Sequence, residues 1–173
     1  MSRVGMLTCI LLFLFSCAFG ARTSYSMGLS EEILKNIAYP YGINMGPGSL
    51  KMSNGHCEST DEYGQQHEFS VDKLFISKPD KSGVQHALVS VWCEHSGGWG
   101  IDVQLYLVSI SDCKIHVSRP QDIGDRTIVR KVVFKAGAVS VGMVVFKSVT
   151  RPTSVGSDIV VRYKIVGGDL LRL

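Results

Sequence analysis

The chain carries none of the common signatures of catalysis or nucleotide binding. It has no Gly-x-Ser-x-Gly elbow to present a serine nucleophile at a strand-to-helix turn. Phosphate loops and dinucleotide fingerprints are missing, and Gly97-Gly98-Trp99-Gly100 reads as a turn rather than a phosphate cradle. Neither C-x-x-C nor H-x-x-x-H occurs, so the local spacings that hold zinc are absent. No Asn-x-Ser/Thr triplet is present, so N-glycosylation is not expected. There is no internal repeat and no low-complexity tract. Cysteine is scarce, five in 173 residues, far from the density of a scaffold built on disulfides. The net charge of +3 is small for nucleic-acid binding, which also wants aromatics among its cations.

Residues 1–20 read as a targeting segment. Arg3 supplies a minimal positive start, Val4 to Phe19 is almost entirely apolar, and Ala18-Phe19-Gly20 is a small-x-small cleavage site before Ala21. The apolar run is shorter than the ~20 residues of a spanning helix, and no stop-transfer pattern follows. An exported protein is expected, whether secreted, periplasmic or at the cell surface. Leu14-Phe15-Ser16-Cys17 loosely fits a lipoprotein box, which would make Cys17 an acylated first residue and a lipid anchor the one link to a membrane. Residues 21–29 then form a flexible lead, and 30–173 one β-rich domain of ordinary size.

Two-residue alternation dominates after residue 66. Val84 to Ser111 reads as two long strands joined through Ser96-Gly97-Gly98-Trp99-Gly100, whose glycines accept positive φ in a reversing turn. In the first arm Ala87, Val89, Val91 and Cys93 alternate with Leu88, Ser90, Trp92 and Glu94. In the second, Ile101, Val103, Leu105 and Leu107 alternate with Asp102, Gln104, Tyr106 and Val108. Further strands are expected at 67–77, 127–135, 139–147 and 158–166, with Leu74-Phe75-Ile76 marking a bulge or a doubly buried stretch. Asn54-Gly55 signals a tight turn between 50–52 and 56–58. Arg119 to Arg126 reads as a loop and Asp169 to Leu173 as a tail. One short helix, 31–38, starts at the N-cap Ser30 with Glu31 and Glu32 in its first turn and a Leu29–Leu34 staple, and Pro40 stops it. The expected fold is mainly β: an antiparallel sandwich or small barrel of seven or eight strands with one N-terminal helix. An outer-membrane barrel would need aromatic girdles that this chain does not have.

Three cysteines remain after the expected cleavage: Cys57, Cys93 and Cys113. In an oxidising compartment one bridge is expected, and the strand order suggests Cys57–Cys93. The same region offers His56-Cys57 and Cys93-Glu94-His95 as metal donors, but without metal-site spacing the disulfide is the preferred reading, and no metal or other cofactor is expected. Glu58, Glu68 and Glu94 would cluster if strand 67–77 folds back on 84–95; acidic side chains on a solvated face are the ordinary explanation, so no catalytic residue is assigned.

Binding is better represented than catalysis. Trp92, His95, Trp99 and Tyr106 lie on or near one end of the central hairpin, where rings bring contact area at little entropic cost. From Ala21 to Asp112 there are 6 Lys/Arg against 11 Asp/Glu, and from Cys113 onward 11 against 4. Lys131, Lys135, Lys147, Arg162 and Lys164 alternate with aliphatics and so could share an outer face. The expected function is that of an exported, non-catalytic sandwich binding a protein, a glycan or another anionic surface, and not nucleic acid. A structural subunit of an envelope or extracellular assembly, with copies joined as a homo-oligomer, is the alternative; a small secreted hydrolase ranks third.

Overall fold

The computed structural model describes residues 28–41, 48–61, 63–95, 101–146 and 156–173. The expected signal segment with Cys17, the hairpin tip with Trp99, and Lys147 lie outside the described residues. What is described is mainly β, with one short helix and twelve strands in three antiparallel sheets.

The long alternating segments form the central sheet. Strands β3 (His56–Thr60), β4 (Gln66–Ile76), β5 (Gln85–His95), β6 (Ile101–Ser111) and β7 (Lys114–Val117) pair in sequence order. Strand β8 (Gln121–Asp125) pairs with the same edge of β6 beyond β7. Between them, the Ser118 amide donates to the Leu107 carbonyl (2.8 Å), and the Leu107 amide donates to the Ser118 hydroxyl (2.8 Å). A buried serine thus carries the ladder past Pro120, which has no N–H to give. The stretch 119–126 is therefore not wholly loop. Gln-Asp-Ile-Gly-Asp has no apolar alternation, and only the edge of β6 makes it a strand.

A second sheet is built by β9 (Ile128–Lys135), β10 (Ala138–Val145), β11 (Ser157–Val166) and β12 (Asp169–Arg172). The expected tail is thus its edge strand. Gly167 and Gly168, at φ 59° and 92°, turn the chain back instead of ending the sheet.

The helix α1 (Glu31–Lys35) starts as expected, with the Ile33 amide donating to the Ser30 hydroxyl at 3.2 Å. It stops earlier than expected, at Asn36, whose side-chain amide donates to the Glu32 carbonyl (2.8 Å). The residue before a proline is driven to extended backbone, and Ala38–Pro40 forms strand β1, paired with β2 (Ser49–Lys51). The Asn54-Gly55 turn is present, with both residues at positive φ and Ser53 bridged to His56. It closes only that bridge, because β2 is already paired with β1.

Two cores share the central sheet. One face packs Val89, Val91, Cys93, Tyr106 and Val108 against Leu29, Leu34, Tyr39, Leu50 and Met52 of the N-terminal layer. The other packs Leu88, Leu105 and Leu107 against Val139, Val141, Val161, Tyr163 and Leu170 of the second sheet. Strands β5 and β6 are therefore buried on both faces along Ala87–Val91 and Leu105–Val108. Each aliphatic side chain fully buried there contributes roughly 1.5–3 kcal/mol. The break in alternation in β4 is a bulge between Val71 and Lys73. It sends Leu74 into the first core and Phe75 into the second.

Candidate functional site

The outer face of the four-stranded sheet collects the basic residues. Phe134, Val139, Tyr163 and Leu170 point into the second core, so their neighbours in sequence point out. Cross-strand register then sets Lys135, Ala138, Lys164 and Leu171 in one row. Val133, Ser140 and Arg162 form the next, and Lys131, Gly142 and Val160 the third. Lys131, Lys135, Arg162 and Lys164 thus share one face. Ala138, Ser140 and Gly142 form a low central strip between them. Hollows of about 530 Å³ and 280 Å³ meet at Arg162 and Leu173 on this face. Val160, Leu171 and Leu173 are largely exposed beside it. The two carboxylates of these strands are engaged at its ends. Asp158 stands 3.7 Å from Arg130, and Asp169 accepts the Arg119 amide at 3.0 Å.

Of the expected aromatic cluster, the described Trp92 and Tyr106 are not brought together. Trp92 and Tyr106 lie on opposite faces of the central sheet, because the pairing Val89–Tyr106 puts Tyr106 with the odd-numbered residues of β5. Tyr106 is wholly buried, edge-on to Tyr39 at 4.9 Å, with its hydroxyl within hydrogen-bonding reach of the Pro40 carbonyl (2.9 Å) and Gln104 Oε1 (2.8 Å). It is a residue of the first core. Trp92 is partly buried, and among the described residues its indole N–H has no acceptor.

The cysteines also differ from expectation. Cys57, Cys93 and Cys113 are free thiols. Cys57 is opposite Phe69, and Phe69 is opposite Cys93. Two interstrand steps of about 4.8 Å put the two cysteine backbones roughly 9.6 Å apart, beyond the ~7 Å limit for a disulfide.

What Cys93 does meet is a pair of histidines. On β4 and β5, His67 is opposite His95, and both lie on the face that carries Cys93. Their rings are edge to face at 4.9 Å, with Nδ1 of one 2.8 Å from Nδ1 of the other. Each outer nitrogen meets a carboxylate: His67 Nε2 is 3.1 Å from Asp61 Oδ2, and His95 Nε2 is 2.9 Å from Asp102 Oδ2. The result is a chain Asp61–His67–His95–Asp102, with Cys93 beside its two rings. A ring nitrogen of each histidine and the Cys93 sulfur lie within 4.8 Å of one another. His67 is almost wholly buried, while His95 keeps a third of its side-chain surface.

Asp61 is fixed by its own loop. Its Oδ1 accepts the amides of Tyr63 and Gln65, each at 2.9 Å. Burial would raise this carboxyl, but donation from Gln65, His67 and Tyr63 outweighs it and holds the group below the usual range. Burial first, then the Asp102 carboxylate and the Cys57 thiol, push Cys93 up to about 12. A metal-free Cys93 is therefore a thiol rather than a nucleophilic thiolate at neutral pH.

His67, Asp61 and Asp102 were not singled out in the sequence. The available signal was a histidine on each of two adjacent strands, but matching 67 with 95 needs the register. His56 belongs elsewhere: it points to the opposite face from Cys57, 3.6 Å from Glu68 and 4.0 Å from Glu58. The glutamate row does form, with Glu58 opposite Glu68 and Glu68 opposite Glu94, and all three are exposed. No helix among the described residues is long and apolar enough to cross a membrane. Comparison with protein-family models, curated proteins and solved structures finds no match.

Proposed function

We propose that this is an exported, non-catalytic binding protein whose outer four-stranded face takes an anionic polymer, an acidic glycan foremost. The observation that carries the reading is the convergence of Lys131, Lys135, Arg162 and Lys164 on one face whose neighbouring carboxylates are both engaged at its ends. The strip of Ala138, Ser140 and Gly142 gives a chain room to lie between cations. Exposed Val160, Leu171 and Leu173 offer apolar contact alongside. Charge complementarity of this kind steers encounter and fixes orientation, and it weakens with salt.

The test is retention of the full chain on immobilised heparin. The double reversal Lys135→Glu/Arg162→Glu should abolish retention at 0.15 M salt while leaving the melting temperature within about 2 °C, since both side chains are exposed and surface changes cost little. Retention equal to that of the unaltered protein would refute the assignment of this face. Anionic vesicles in place of heparin test the membrane alternative.

One observation favours a second reading, an assembly of copies. The row Glu58–Glu68–Glu94, with only His56 among the described residues beside Glu58 and Glu68, is an acidic counterpart on the central sheet to the basic face of the second, and like charges set directly opposite are unfavourable unless something compensates them. That reading requires oligomers that fall apart between 0.05 and 0.5 M salt, on the order of the change in screening expected over that range.

A further inference from the structure

We propose that His67, His95 and Cys93 form a binding site for one borderline-to-soft transition-metal ion, zinc(II) or copper(I), with Asp61 and Asp102 as the groups that orient the two imidazoles. The basis is hydrogen-bond accounting. An ionised carboxylate only accepts, so Asp61 and Asp102 each hold a proton on the Nε2 they face, at 3.1 and 2.9 Å. A neutral imidazole carries one N–H, so both Nδ1 atoms are left as bare lone pairs. Those two lone pairs face each other at 2.8 Å, an arrangement that repels unless a positive charge stands between them. A proton can fill that place, and so can a metal ion.

The sulfur of Cys93 settles which is the better occupant. It lies in the same cluster, within 4.8 Å of a nitrogen of each ring, on a strand buried at that point. A proton shared by two imidazoles makes no use of a thiol, whereas imidazole and thiolate together suit zinc and copper(I). Ligating histidines typically give their other ring N–H to a carboxylate, which fixes the tautomer and raises ligand basicity, and here both do. Bond lengths of about 2.0 Å to nitrogen and 2.3 Å to sulfur place tetrahedral nitrogens roughly 3.3 Å apart and the sulfur roughly 3.5 Å from each. The nitrogens must therefore part by about half an ångström and the sulfur close in, which side-chain rotation on two adjacent strands permits. Binding releases the thiol proton to solvent, and the ion's charge compensates the thiolate left behind. Three protein ligands leave a position for water or an external ligand.

The test uses the metal-free, reduced full chain in a Cys113→Ser background, which removes the exposed turn thiol. Titration with cobalt(II), standing in for zinc(II), should reach one equivalent and develop a near-ultraviolet thiolate-to-cobalt band that zinc(II) then abolishes. Cys93→Ser should remove the band. Asp61→Asn and Asp102→Asn should each weaken binding about 10- to 100-fold. His95→Ala, at a third-exposed position, spares the core and should lose the stoichiometric site even if the Cys93 variant folds poorly. Copper(I) titrated in parallel identifies the preferred ion, and either ion bound through Cys93 upholds the site. Absence of a thiolate band in the folded protein, or unchanged affinity in His95→Ala, would overturn it.

Discussion

His86 shows how one side chain ties pH to the joining of the two sheets. Its ring stacks on Phe134 of the second sheet at 6.3 Å and 14°, and its Nδ1 lies 2.8 Å from the Ser109 hydroxyl. Burial lowers its affinity for a proton, and the Asp80 carboxylate only partly offsets this. The unfolded chain therefore binds the proton more readily, so the stability that neutral His86 contributes is complete above the ordinary histidine range of about 6.5 and is lost as pH falls through it. Urea midpoints measured from pH 8 to 5.5 should decline, and His86→Gln should flatten the decline; an equal slope in the variant would remove His86 as its source. Cys113 makes a different point. It and Asp112 form the two-residue turn between β6 and β7, both at positive φ, where non-glycine residues are strained. Cys113→Gly should raise unfolding free energy by about 0.5–1 kcal/mol, the relief being partly offset by glycine's greater freedom when unfolded. Neither residue could be placed so closely from the chain alone. The Ser30 cap and the Asn54-Gly55 turn could, because each is decided by neighbours within four positions.

At the scale of elements, short strands are where local pattern failed and tertiary context won. Strand β12 is an example: four residues, one of them buried Leu170, held because Gly167-Gly168 reverses the chain onto β11. Gly168 has φ 92°, and a Cβ there would sit 2.5 Å from the His116 ring of β7. His116 is exposed and can swing aside, but the backbone strain cannot be relieved. Gly168→Ala should destabilise by about 1 kcal/mol and raise hydrogen exchange in β12 first, as expected of an edge element that opens locally. An unchanged exchange pattern would mean that the turn does not hold the strand. The long strands behaved otherwise. Expected at 127–135, 139–147 and 158–166, they span Ile128–Lys135, Ala138–Val145 and Ser157–Val166, since eight or more alternating residues outweigh any local ambiguity.

For the whole molecule, the sharing of β5 and β6 between both cores makes the two layers interdependent. Leu88 and Val89 are adjacent in sequence, yet one belongs to the core against the second sheet and the other to the core against the helix layer. Leu88→Ala should cost about 2–5 kcal/mol and Val89→Ala somewhat less. Each should shift one common transition seen by near-UV circular dichroism and by calorimetry alike. Two separable transitions would show that the layers fold independently. The same layering turns a sequence imbalance into a spatial one: the strands after Ile128 carry the basic face, while the central sheet carries the glutamate row.

The amino-acid sequence alone determined the class of fold, the long strands, the start of the helix and the segregation of charge along the chain. Those depend on periodicity and on neighbours a few residues apart. Only the tertiary structure decided that Tyr106 is core, that Phe69 separates Cys57 from Cys93, and that His67 faces His95 between two carboxylates. The reason is register: side chains alternate with a period of two, so a shift of one residue between strands exchanges every partner and every face, and that alignment is set by a bulge at Asp72 and by packing on both sides of the sheet.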